Sequence, residues 1–163
     1  MDIGESLVGS YFKYVLGYRM VVYNCPLQGG GELDVVALNP EQGRICLCEV
    51  ATHLRGLLYG RNYSTTCERL GQKIIRASDF AFKYFPSHQA SFMLWSPVVF
   101  PGLIPLLQDL QDRFKDRIAV ELIINGEYRR RIEKLREMAR RDLKSTQEPA
   151  YRLLQILEHL REK

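Results

Sequence analysis

Two carboxylates stand inside apolar runs of this chain. Asp34 interrupts "ELDVVALN" (32–39), between Leu33 and Val35-Val36, and Glu49 closes the run Ile45 to Cys48 in "RICLCEVAT" (44–52). A carboxylate held in such a run costs several kcal/mol in lost hydration unless a cation, hydrogen bonds or a proton compensates it. If the two runs are adjacent strands, the acids converge. Hard oxygen ligands that converge suit Mg2+ or Mn2+, which retain some waters and accept a phosphate oxygen as a further ligand. Asp34 and Glu49 are therefore the expected metal ligands, with the Val50 carbonyl as a backbone oxygen beside them. The plain alternative is a structural salt bridge to Arg69, Lys73 or Arg76.

The residue two places after Glu49 is Ala51. Side chains two apart on a strand share a face, so a methyl group stands where a hydrolytic site needs a cation. A lysine reaches about 6 Å and can approach the same point from a neighbouring element. Lys73 is the best placed for this. Arg69 and Arg76 share its ridge on the same helical segment and are expected to clamp phosphate in forked geometry. His53 faces Glu49's side only if the strand continues that far.

The elements that must hold these groups follow from periodicity. Helical spacing of Val8, Tyr11 and Val15 predicts a helix over 3–16, ended by Gly17. Three strands in a meander are predicted at 19–24, 32–38 and 44–52, the last two joined by the turn "PEQG". Thr65-Thr66 cap a helix through "CERLGQKIIRASDFAFKYF", whose buried stripe is Leu70, Ile74, Ala77 and Ala81. "SFMLWSPVVF" reads as a strand, "LIPLLQDLQDRF" as a helix and "IAVELIIN" as a strand. Two helices finish the chain, split near Glu148-Pro149. The second shows a broad apolar face, from Tyr151 to Leu160, that either completes the core or holds a second subunit in a homodimer.

That order, with acids in those places, resembles the PD-(D/E)XK, or restriction-endonuclease-like, nuclease superfamily. Leu33-Asp34 stands for the Pro-Asp half-motif, and Glu49-Val50-Ala51 for the (D/E)-X-K half. "GELDVVAL…GRICLCEVATH" is most similar to the bacterial family typified by "GEIDLIA…EVK", related to Holliday junction resolvases. The likeness covers about residues 3 to 85. It implies an α/β fold with an αβββαβ core and a mixed sheet, plus a further helix–strand unit and two C-terminal helices. It further implies that Gly4-Glu5 matches a helical glutamate, so that Glu5 assists catalysis, and that Gln72-Lys73 corresponds to a pair orienting water and phosphate. Ala51 departs from the pattern at the lysine.

Composition sets the remaining bounds. At 163 residues, with 46% hydrophobic and 26% charged, the chain reads as an ordinary globular protein. The expected organisation is a nuclease-like core at 1–125 and a helical extension at 126–163 packed on the same domain. No apolar run approaches the length of a bilayer span, and the acids near the start do not suit a signal peptide, so a cytoplasmic protein without a membrane partner is expected. The four cysteines read as reduced thiols rather than zinc ligands. The net charge is +4, yet the stretch from Arg129 to Lys144 alone carries +5. Arg130, Arg131, Arg140 and Arg141 are thereby expected to contact a nucleic-acid backbone. The leading expectation is a Mg2+- or Mn2+-dependent endonuclease acting on DNA. The competing one is a catalytically inactive nuclease fold that binds nucleic acid or a protein partner.

Overall fold

In the structure, a computed structural model describing residues 1–161, the chain is an α/β protein built on one five-stranded mixed sheet. Helix α1 (Ile3–Ser10) leads into a π-helical turn (Tyr11–Val15), then strands β1 (Met20–Pro26), β2 (Glu32–Asn39) and β3 (Arg44–Val50). Helix α2 (Tyr63–Tyr84), β4 (Gln89–Ser96), α3 (Ile104–Phe114) and β5 (Ala119–Ile124) follow. Helices α4 (Asn125–Arg141) and α5 (Pro149–His159) complete it. The strands lie in sequence order, the first two pairings antiparallel and the last two parallel. No helix among the described residues is long and apolar enough to cross a membrane.

Both faces of the sheet are covered, which explains the near-continuous apolar strands. On one face Ile45, Leu47, Ala51, Phe92 and Leu94 pack against Leu70, Ile74 and Ala77 of α2 and Leu107 and Leu110 of α3. On the other, Val35, Ala37, Cys46, Cys48 and Trp95 pack against Val8 and Phe12, Leu135 and Ala139 of α4, and Tyr151 of α5. The C-terminal helices thus form a layer with α1. Buried Glu148, just before α5, ties that layer together, accepting from the Tyr23 hydroxyl at 2.8 Å and pairing with Lys13. Gly9 permits this, since a Cβ there would stand 2.0 Å from the Tyr23 oxygen.

Three local differences from the sequence reading have physical causes. The predicted 3–16 helix changes to π geometry at Tyr11, where the Leu16 amide donates to the Tyr11 carbonyl at 3.2 Å. Strand β3 stops at Val50 rather than 52, so His53 is not on Glu49's face by alternation; it is exposed in the following loop. In α5 the periodic apolar residues Leu153, Ile156, Leu157 and Leu160 point outward, while Gln155 and Glu158 are buried.

Candidate active site

The ladder between β2 and β3 has its last pair at Val35 and Cys48. Beyond it Asp34 replaces backbone pairing with its side chain: Oδ2 accepts the Val50 amide at 2.7 Å. Glu49 precedes that amide and shares its face with Leu47 and Ala51, under α2. Asp34 and Glu49 are both buried, at 8% and 4% exposure, so hydration contributes little to either. Their carboxylates lie close enough for each to act on the other. Burial first, then the Glu49 charge, push the Asp34 carboxyl up to about 7, against the opposing Val50 amide and Lys73 ammonium.

Glu49 is bonded at both oxygens. The Tyr59 hydroxyl donates to Oε1 at 2.7 Å, and the Lys73 ammonium, reaching down from α2, pairs with Oε2. Burial and then the Glu49 charge raise the Tyr59 phenol, which keeps it a donor. Tyr59 is itself fixed by a reciprocal pair with Thr66: its amide donates to Thr66 Oγ1 at 2.9 Å, and that hydroxyl is 3.1 Å from the Tyr59 carbonyl. Ala51, at 2% exposure, is part of the packed core beneath α2. The cation therefore comes to the carboxylates from a helix, while the strand position keeps a small core side chain.

The other expected residues are not brought to this point. Glu5 is on α1, over the opposite face, where it forms a capping box with Asp2 and accepts from Asn24 Nδ2 at 3.3 Å. No cluster of three or more His, Cys, Asp or Glu side chains suited to a metal exists among the described residues, so Glu5 does not join the pair as a third carboxylate. Gln72 is exposed and lines a groove of about 610 Å³ against α3 with Cys67 and Leu106, on a different side of α2 from Lys73. Arg76 donates to the Gly30 carbonyl at 3.1 Å and so anchors the β1–β2 loop. Arg69 is exposed, one turn before Lys73.

The basic helix is also less free than its composition suggests. Arg130 and Arg131 both bond Glu127, and Arg131 further lies over the Trp95 ring at 5.1 Å. Arg140 pairs with Glu158 at 3.1 Å, alongside Arg136 and Arg161. Arg141 alone of the four expected contacts is exposed without an ion pair among the described residues. Tyr59 is the residue that sequence reasoning missed. Its only available signal was position, a phenol between Gly56 and Gly60 in the loop following the acidic strand.

Two buried carboxylates meet one ammonium here, and carboxylate oxygens are the donor type that a hard divalent cation takes, although three of the four are already bonded, to the Val50 amide, Tyr59 and Lys73. In comparisons with known proteins, no family model, curated protein or solved structure matches this chain.

Proposed function

We propose that the chain is a divalent-metal-dependent phosphodiesterase. Within that class we take it to be a nuclease acting on DNA, in which Asp34 and Glu49 hold Mg2+ or Mn2+. The observation that carries the reading is the under-compensated pair: two buried carboxylates at the point where β2 and β3 part, with Asp34 raised to about 7. Bound there, the ion would supply Lewis-acid stabilisation to a phosphodiester oxygen. The chain's own groups do the rest. Tyr59 and the Val50 amide fix the orientation of Glu49 and Asp34, and both donors are already in place. Lys73 supplies the positive charge that the strand lacks at Ala51, beside the carboxylates, where charge develops on the phosphate during in-line attack by water.

A second reading has its own support. Ala51 is fully packed and Lys73 is already paired with Glu49, as suits a fold that keeps binding without turnover. One experiment separates the two. Single-stranded, duplex and branched DNA are incubated with wild type, Asp34→Ala and Lys73→Ala in Mg2+ or Mn2+. The nuclease reading expects cleavage by wild type only, with metal binding retained in Lys73→Ala. Wild-type protein that binds DNA and leaves every substrate intact would establish the silent fold instead.

A further inference from the structure

The loop that delivers Tyr59 to Glu49, residues 51–62, has a second, outward surface. It lies beyond the carboxyl end of β3, and the β4–α3 loop lies beside it at the end of β4. Arg55 and Arg61 are exposed on it, and Arg69 follows on α2. None of the three makes an ion pair among the described residues, and no acid occurs from Ala51 to Cys67. Exposed apolar groups stand among these cations: Leu54 at 79%, Leu58 at 42% and Phe100 at 48%. Phe100 lies over Gly56, whose positive φ of 105° and lack of Cβ admit the ring; a Cβ there would be 2.5 Å from it. The loop is tied at its start by Ala51 N to the Trp95 carbonyl at 2.8 Å, in its middle by Leu57 N to the Val98 carbonyl at 2.9 Å, and at its end by the Asn62 cap on Thr65 at 2.8 Å.

Cations free of carboxylates, set beside an aromatic face, match a strand whose bases are unstacked. A duplex offers phosphates but hides its base faces. From this we infer that the surface formed by the 51–62 loop, Arg69 and Phe100 binds a single-stranded stretch of DNA and leads it to the Asp34–Glu49 pair, an assignment that rests on the nuclease reading. The strand crosses this loop, with its phosphates on Arg55 and Arg61 and a base against Phe100.

The test is fluorescence anisotropy with a labelled oligothymidylate and a duplex of equal length, titrated in chelator at several salt concentrations. The single strand should bind more tightly than the duplex. Arg55→Ala with Arg61→Ala should flatten the salt dependence by about 1.4 logarithmic units, at roughly 0.7 per contact. Phe100→Ala should weaken single-strand binding roughly tenfold and leave the slope. Arg44→Ala with Lys115→Ala removes equal charge at the opposite ends of the strands and should change neither. Superimposable slopes for wild type and Arg55→Ala/Arg61→Ala, or tighter binding of the duplex, would overturn the assignment. The outcomes separate the two proposals: cleavage with unchanged slopes removes the loop and keeps the nuclease, whereas altered slopes without cleavage keep the surface and remove the nuclease.

Discussion

Asp34 with Glu49, and Glu158, are buried acids on opposite faces of one sheet, and they are compensated in opposite ways. Glu158 meets three guanidinium groups, from Arg136, Arg140 and Arg161. Burial pushes its carboxyl up, but the arginine hydrogen bonds outweigh burial and hold it below the ordinary range. The Asp34–Glu49 pair meets one ammonium for two charges, and Asp34 is raised. An over-compensated acid holds helices together. An under-compensated pair lowers stability for as long as both members are charged, a cost that natural sites bear where a ligand is to be bound. The difference lies in the ratio of charges, since the acids of both clusters are buried and both have a basic partner that reaches solvent.

The comparison breaks most sharply in turnover. Glu49→Gln should lower metal-dependent DNA cleavage by about a thousandfold, whereas Glu158→Gln should leave the rate within a factor of two; equal losses in a cleavage assay would erase the distinction. Stability sharpens it next. A folded pKa raised to about 7 means that Asp34 contributes stability that is fully present below about pH 4 and is lost as pH rises through about 7. Asp34→Asn keeps an acceptor for the Val50 amide and cannot charge. In chelator at pH 8.5 it should therefore be more stable than wild type by on the order of 3 kcal/mol in denaturant unfolding, with the gain shrinking toward pH 4.

Glu158→Gln should do the reverse. Its carboxyl is depressed, so its contribution is present at neutral pH and lost only as pH falls through the folded value. Loss of about 2 kcal/mol at pH 7.5 is expected from the same unfolding measurement, moderated because the three arginines keep some solvent. The smallest effect belongs to Tyr59→Phe. Removing one hydrogen bond to Glu49 should cost about 1 kcal/mol and reduce cleavage roughly fivefold, with metal affinity read separately by calorimetry.

What the sequence disclosed tracks the range of the physics. The αβββαβ order and the two acids were legible because apolar alternation, turns and mid-strand carboxylates are local signals, and the observed mixed sheet carries them. Lys73 was legible through reach, since it belongs to a helix that must cover β3. Tyr59 was not, because a loop aromatic has no period and only the folded path of 51–62 turns it inward. The charge of α4 was visible, and so, at i+3 and i+4 spacing, was Glu127 as a partner for Arg130 and Arg131, but Glu158 comes from another helix, so the occupation of Arg136 and Arg140 was not. In α5 the periodicity showed two faces without showing which was inward. Gln155 decides it, donating to the Asp142 and Lys144 carbonyls at 2.9 Å and so drawing a polar stripe into the interior.

The four-residue turn between β2 and β3 has a kinetic consequence. Contacts between near neighbours in the chain close at lower entropic cost than those that require long loops, so this hairpin is expected to form ahead of the parallel pairing of β3 with β4. It brings Asp34 and Glu49 together while Lys73 is still on an undocked segment. Docking of α2 therefore does more than bury Leu70 and Ile74, for it carries in the counter-ion that the early structure lacks. The helix that supplies the cation is thereby also the one whose docking buries the two carboxylates, so neutralisation and burial of the pair arrive together.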